Sequence, residues 1–164
     1  MIALDFDGVV ANYGDHTTQF RLNDGLFALL PRQRQYVTIC TNQGGMVFSR
    51  SNLAKYPSPE RVAYRLAAGC NFLHRHGYPV RAILVSAYHP KAADADIQQV
   101  AAILRRHLPK IVSAWRVYTT ERARKPHPLM LRVAGATIYY GDSPEDAAAA
   151  AAAGVPFVAV PRFL

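Results

Sequence analysis

The sequence has few cysteines and no long apolar run. Its 164 residues include only two cysteines, Cys40 and Cys70, and neither belongs to a Cys-x-x-Cys pair. Two isolated thiols exclude a disulfide framework and are typical of cytoplasmic proteins. No stretch approaches the ~20 apolar residues of a membrane-spanning helix, and the first residues lack the basic and apolar regions of a signal peptide. We therefore expect a cytoplasmic protein without a membrane partner.

Acidic residues are also scarce relative to basic ones. Eleven Asp and Glu stand against nineteen Lys and Arg, which gives a formal net charge of +8. A positive surface raises the local concentration of phosphorylated ligands and nucleic acids, so the charge indicates either an anionic partner or simply an arginine-rich proteome. The basic residues are scattered along the chain, and a solvated basic surface explains most of them. A nucleic-acid partner is therefore possible but is not required by the charge.

The length and composition suit one folded domain. A chain of 164 residues with 51% hydrophobic side chains is long enough to bury a core of its own. The sequence contains no internal repeat, low-complexity linker or shift in composition. We therefore expect one domain spanning residues 1–164, and the oligomeric state stays open.

Short apolar runs alternate with helical patterns along the chain. Strands are predicted at residues 2–4, 36–40, 80–86, 115–118, 137–140 and 155–160. Helices are predicted at residues 23–30 with Asn23 as the cap, 58–76, from 94 or 96 to 104, 128–133 and 144–153. Because the strands are apolar on both faces, the pattern predicts a doubly wound α/β fold in which helices cover both faces of a parallel sheet.

Polar side chains stand where three of these strands end. Asp5 and Asp7 follow the first strand, Thr41 the second, and Asp142 the strand at 137–140. Ligands of doubly wound sheets bind at the carboxyl ends of the strands. Two carboxylates two residues apart can hold a divalent cation, or one can attack phosphorus while the other moves protons. Since Asp and Gly also favour turns, Asp5 to Gly8 alone leaves a plain turn open.

The polar strand ends belong to a longer pattern. Its four segments are Asp5-Phe6-Asp7-Gly8-Val9-Val10, Thr41-Asn42-Gln43, Lys125-Pro126, and Gly141-Asp142-Ser143 with Asp146. In this order they resemble the four motifs of the haloacid dehalogenase (HAD) phosphatase superfamily. The second and third further resemble its capless subgroup, which holds polynucleotide 3′-phosphatases, histidinol-phosphate phosphatases and heptose-bisphosphate phosphatases. The resemblance implies a Rossmann-like fold with little or no cap.

The resemblance assigns the catalytic and metal-binding residues. Asp5 is the implied nucleophile, which forms an aspartyl phosphate. Asp7 is the implied acid and base, which protonates the leaving alcohol and then deprotonates the attacking water. The implied cofactor is Mg²⁺, held by Asp5, the backbone carbonyl of Asp7, and Asp142. Asp146 is a further metal candidate, but it also reads as the capping partner of Ser143.

The resemblance also assigns the phosphate-binding residues, which are Thr41, Asn42 and Lys125. Each has a simpler alternative: Thr41 as the cap of a turn, Asn42 as a hydrogen-bonding loop residue, and Lys125 as a surface lysine. His89 follows the third strand and is expected to border the substrate. The segments Gly8–Phe20 and Met46–Pro57 are the candidate flap and lid, and both are short.

These residues predict a Mg²⁺-dependent phosphomonoesterase. Its substrate is either a nucleic-acid 3′-phosphate or a small phosphorylated metabolite. Two alternatives remain: a receiver-like signalling domain that accepts a phosphate without turnover, and an inactive binding module. Some capless relatives carry a Cys/His zinc loop, and no structural zinc is expected here because no cysteine lies between Cys70 and Lys125.

Overall fold

The computed structural model describes residues 1–14, 19–108, 110 and 112–164. His16 and Thr17, which belong to the predicted flap, lie outside the described residues. The flap is therefore described only at its two ends.

The strands form one six-stranded sheet in which every pair is parallel, in the order β4-β3-β2-β1-β5-β6. The strands are β1 (Ile2–Leu4), β2 (Val37–Asn42), β3 (Val80–Ser86), β4 (Ala114–Tyr118), β5 (Ile138–Gly141) and β6 (Phe157–Ala159). The chain moves from β1 outward to β4 and then crosses to the other side of β1. The strand order therefore reverses between β1 and β5, and such a point opens a crevice at the carboxyl ends of the strands.

Helices cover both faces of the sheet, so the doubly wound α/β prediction is confirmed. The helices are α1 (Pro59–Arg75), α2 (Asp94–His107), α3 (Leu129–Val133) and α4 (Pro144–Ala153). Successive strand residues point to opposite faces. Leu4 accordingly packs in the core that contains α1 and α2 residues, and Ala3 in the core that contains α3 and α4 residues. Within the described part of the chain, no helix combines the length and apolarity needed to cross a membrane.

Local signals account for several helix boundaries. The Ser58 side chain accepts a hydrogen bond from the Arg61 backbone N–H at 3.1 Å, which caps α1 as predicted. The short helix predicted at 23–30 is found as a 3₁₀ helix over Asp24–Ala28, directly after Asn23. The predicted cap by the Asn23 side chain is wrong, because this side chain donates to the Val9 carbonyl at 2.9 Å. Asn23 thus fastens this segment to the turn after β1.

Candidate active site

The turn after β1 brings two carboxylates to the sheet's carboxyl edge. The Asp5 N–H donates to the Tyr140 carbonyl at 2.9 Å, which continues the pairing of β1 with β5. The chain then turns at Gly8, whose φ of +85° is a conformation that glycine adopts without strain. A Cβ at Gly8 would lie 2.3 Å from Asp142 Oδ2. A side chain at position 8 would therefore displace the Asp142 carboxylate, so glycine leaves room for Asp142 beside the turn.

Asp5 contacts a buried lysine from a distant part of the chain. Lys125 Nζ donates to Asp5 Oδ1 at 2.7 Å, to Asp146 Oδ1 at 2.6 Å and to Tyr139 Oη at 2.9 Å. The Lys125 side chain is only 4% exposed, and a buried charge is tolerated when it is paired and hydrogen-bonded in this way. We call Asp5, Lys125, Tyr139 and Asp146 the Lys125 network.

Within the Lys125 network, the charges of neighbouring groups oppose the effect of burial on the pKa values of Asp5 and Lys125. Burial raises the pKa of Asp5 above its ordinary value, and the positive charge of Lys125 offsets part of that rise. Burial alone would lower the pKa of Lys125, but Asp5 and Asp146 outweigh burial and raise it. Lys125 is therefore a permanent cation beside Asp5, which excludes the alternative of a surface lysine.

Asp146 lies behind this lysine at the start of α4. Its Oδ1 accepts from Lys125 and from Tyr139 Oη, the latter at 2.7 Å. Its Oδ2 accepts from the N–H groups of Asp142 and Ser143, both at 3.1 Å, and from Ser143 Oγ at 2.7 Å. Since the Asp146 N–H also donates to Ser143 Oγ, the predicted capping box is confirmed. Both oxygens of Asp146 are thus engaged by donors within the chain.

Three carboxylates converge closely enough to hold a divalent cation. One oxygen each from Asp5, Asp142 and Asp146 lies within 4.8 Å of the others. Hard carboxylate oxygens in this number fit Mg²⁺, which uses few protein ligands and keeps several waters. The Asp7 carboxylate is not part of this group, which leaves its backbone carbonyl as the predicted ligand. Because Asp146 already accepts five hydrogen bonds, Asp5 and Asp142 are the better candidates for direct contact with a metal.

Asp7 contacts two residues to which the sequence analysis gave no role. Its Oδ2 accepts from Gln43 Nε2 at 2.6 Å, and its Oδ1 accepts from Arg65 Nη2 at 2.6 Å. Gln43 Nε2 also lies 2.9 Å from Thr41 Oγ1. We call Asp7, Gln43 and Arg65 the Asp7 clamp. Gln43 belongs to the Thr41-Asn42-Gln43 motif. Arg65 stands on the apolar face of α1 between Val62 and Leu66, and a charged residue at such a position is the sequence signal that could have marked it.

Asn42 fastens the loop that carries Lys125. Its Nδ2 donates to the Lys125 carbonyl at 3.1 Å, and its Oδ1 accepts from the Lys125 N–H at 3.0 Å. The side chain therefore fixes the position of the Lys125 backbone at the end of β2. This contact accounts for Asn42 without a phosphate, and its predicted role in phosphate binding stays a prediction, as does that of Thr41.

Asp142 pairs with an arginine near the C-terminal end of the sequence. Arg162 Nε donates to Asp142 Oδ2 at 2.5 Å, and its guanidinium lies 4.3 Å from the centre of the Tyr13 ring. The Phe163 N–H donates to the Gly8 carbonyl at 2.9 Å, so this segment runs beside the turn after β1. The Asp142 side chain is only 2% exposed and that of Arg162 is 41% exposed. The sequence analysis missed Arg162, because it lies beyond the last motif.

The predicted residues line one cavity of about 500 Å³ at the carboxyl edge of the sheet. Asp5, Asp7, Thr41, Asn42, Lys125 and Asp142 all border it. His89 also borders it, and burial and the nearby Arg124 lower the pKa of the His89 imidazole. From the predicted lid segment, Lys55 and Tyr56 contribute to the wall. The structure therefore brings the predicted site residues around a single opening, with Asp146 directly behind it.

Comparison of the chain with protein-family models, curated proteins and solved structures finds no match. The arguments about function therefore rest on the residues of the site.

Proposed function

We propose that this protein is a Mg²⁺-dependent phosphomonoesterase of the HAD type that works through an aspartyl phosphate on Asp5. The observation that carries the proposal is that one cavity contains two carboxylates, Asp5 and Asp7, and that each is held by different partners. Asp5 contacts the cation Lys125 and belongs to the group of oxygens that can hold a metal. Asp7, two residues later, is held by Gln43 and Arg65. These different surroundings support assigning attack to Asp5 and proton transfer to Asp7.

In the first half of the proposed reaction, Asp5 displaces the leaving alcohol. Lys125 fixes Asp5 through Oδ1, and we assign the attack on phosphorus to Oδ2. A bond forms between this oxygen and phosphorus as the bond from phosphorus to the ester oxygen breaks. The protonated Asp7 carboxyl gives its proton to that ester oxygen, which leaves as an alcohol. Lys125 and Thr41 stabilise the negative oxygens of the phosphoryl group during transfer.

In the second half, water releases the phosphate. The water oxygen bonds to phosphorus, its proton passes to the Asp7 carboxylate, and the bond from phosphorus to Asp5 breaks. The products are inorganic phosphate and the original carboxylate of Asp5, with Asp7 protonated for the next cycle. A Mg²⁺ ion bound at Asp5 and Asp142 would reduce the repulsion between the anionic nucleophile and the anionic phosphate.

The cavity suits a phosphate ester whose remainder extends outward. The cations Lys55 and Arg124 border the cavity outside the carboxylate group and favour a further anionic group on the substrate, whereas Arg162 is paired with Asp142. Such a group occurs both in nucleic-acid 3′-phosphates and in phosphorylated metabolites, so the proposal includes both classes. A receiver-like domain would keep the phosphate on Asp5. The Asp7 clamp favours the hydrolase instead, because it holds a second carboxylate at the same cavity as Asp5, and release of the phosphate requires a base.

The test is Asp5→Asn, which preserves shape and removes the attacking charge. We expect kcat/KM for 4-nitrophenyl phosphate with Mg²⁺ to fall at least about 10³-fold, while circular dichroism shows an unchanged fold. The exposed Asp24 provides a matched control, and Asp24→Asn should retain full activity. Acid quenching with labelled substrate should trap a hydroxylamine-sensitive phosphate on the wild-type protein and none on Asp5→Asn. Near-normal turnover by Asp5→Asn would contradict the proposed mechanism.

A further inference from the structure

Arg65 is a charged residue at a position that the helical pattern of α1 assigns to the core. Val62, Leu66 and Gly69 of the same face are buried, and the Arg65 side chain is itself only 3% exposed. Its guanidinium carbon lies 4.6 Å from the centre of the Phe20 ring. A guanidinium buried among apolar groups is unfavourable unless its charge is paired. The partners of Arg65 therefore indicate why an arginine stands here.

The partners of Arg65 point to Asp7. Arg65 Nη2 donates to Asp7 Oδ1 at 2.6 Å and to the Asn12 carbonyl at 3.2 Å. Its Nη1 is buried and has no hydrogen-bond partner among the described residues. Of these two contacts the charged one goes to the Asp7 carboxylate, which borders the cavity and is 14% exposed.

The Asp7 carboxylate is held from two sides. Gln43 donates to Oδ2 from the end of β2, and Arg65 donates to Oδ1 from α1, both at 2.6 Å. A carboxylate with one donor on each oxygen cannot rotate about its terminal bond without losing both contacts. Gln43 also contacts Thr41 Oγ1, so the clamp is joined to the predicted phosphate-binding residue.

We propose that Arg65 is a positioning residue for proton transfer, which together with Gln43 holds the Asp7 carboxyl against the leaving oxygen of the ester. The inference rests on the proposed phosphomonoesterase function. In the step concerned, the proton of Asp7 moves to the ester oxygen as the bond from that oxygen to phosphorus breaks. A basic alkoxide needs this proton in order to leave, whereas 4-nitrophenolate leaves without it. Loss of the clamp should therefore slow the hydrolysis of an ester more when its leaving group is more basic.

The experiment measures kcat/KM for a matched pair of esters, 4-nitrophenyl phosphate and benzyl phosphate. Both carry an aromatic ring, but only benzyl phosphate has an alkyl leaving oxygen. The parameter kcat/KM covers the steps up to departure of the alcohol, so hydrolysis of the aspartyl phosphate does not contribute. For Arg65→Met, we expect a loss of about 10²-fold for benzyl phosphate, the range of a general acid, and a loss at least tenfold smaller for 4-nitrophenyl phosphate.

Three further variants control the result. Arg75 is exposed on the last turn of α1, and Arg75→Met should leave both esters unchanged. Arg65→Lys keeps the charge and should restore part of the benzyl phosphate activity. Gln43→Met removes the other half of the clamp and should show the same selective loss, which keeps the test available if Arg65→Met does not fold.

The outcomes separate the two proposals. If folded Arg65→Met and Gln43→Met lose both esters equally, or lose neither, the positioning role is wrong and the phosphomonoesterase proposal is unaffected. If the wild-type protein hydrolyses no phosphate ester with Mg²⁺, both proposals fail.

Discussion

Two buried cations hold the two carboxylates of the Asp5-Phe6-Asp7 segment, and they do so differently. Lys125 contacts two carboxylates and a hydroxyl at 2.6–2.9 Å. Arg65 contacts one carboxylate and one carbonyl, and one of its nitrogens has no partner among the described residues. The Lys125 network is saturated and deeply buried, so stability and chemistry both depend on it. The Asp7 clamp is simpler, and we expect its main consequence to be chemical.

A third pair extends the comparison to the surface. Among the described residues Arg162 pairs with one carboxylate, that of Asp142, and the arginine itself is 41% exposed. The three cations thus form a series from a buried lysine with two carboxylates, through a buried arginine with one, to an exposed arginine with one. Because a buried charge that loses its partner is costly and a solvent-exposed cation contributes little, the series predicts a decreasing loss of stability when each cation is removed.

The largest effect is expected for Lys125→Met. The substitution leaves Asp5 and Asp146 buried at the same place without the cation between them, and breaking a buried pair costs about 3–5 kcal/mol. Chemical denaturation should show a loss of unfolding free energy in this range, and the proposed phosphatase activity should disappear. Lys91 is exposed, and Lys91→Met is the matched control. A loss below about 1 kcal/mol would mean that the network does not stabilise the fold.

A smaller effect is expected for Arg65→Met. Asp7 keeps the hydrogen bond from Gln43 and remains partly exposed, so the carboxylate that loses its cation is less isolated than Asp5 or Asp146. We expect a loss of about 1–3 kcal/mol in the free energy of unfolding, the usual cost of one unsatisfied buried partner. The same denaturation experiment checks it. If Arg65→Met costs as much as Lys125→Met, the distinction between the two networks is wrong.

The parts of the site that the sequence could predict are those that stand in short motifs. Asp5, Asp142 and Lys125 stand in short motifs at strand ends or before a helix, and parallel strands bring their carboxyl ends to one edge. The doubly wound fold followed from the alternation of apolar strands and helices. These features depend on short stretches of neighbouring residues, and such stretches can be recognised in a single sequence.

The other parts of the site depend on contacts between residues that are far apart in the sequence, which short motifs do not reveal. Arg65 occupies a core position of α1, and only the packing of α1 against the turn after β1 brings it to Asp7. The hydrogen bonds between Asn42 and the Lys125 backbone join residues 83 positions apart. The cap predicted for the helix at 23–30 was wrong for a related reason, since the Asn23 side chain binds the Val9 carbonyl instead of the helix.

The smallest effect on stability is expected for Arg162→Gln, below about 1 kcal/mol, because glutamine can still donate a hydrogen bond to Asp142 and the lost charge lies on a side chain that is 41% exposed. We expect the substitution to change the affinity for a metal ion more clearly than it changes the free energy of unfolding. Arg162 Nε contacts an oxygen of Asp142, one of the two better candidates for direct contact with a metal, so the arginine and a bound metal ion would compete for the same carboxylate. Electron paramagnetic resonance of Mn²⁺, used in place of Mg²⁺, should therefore show tighter binding to Arg162→Gln than to the wild-type protein. Asp142→Asn should bind Mn²⁺ more weakly than both. Weaker Mn²⁺ binding by Arg162→Gln would instead assign Arg162 to holding Asp142 in its ligand position, and unchanged binding by Asp142→Asn would remove Asp142 from the metal site.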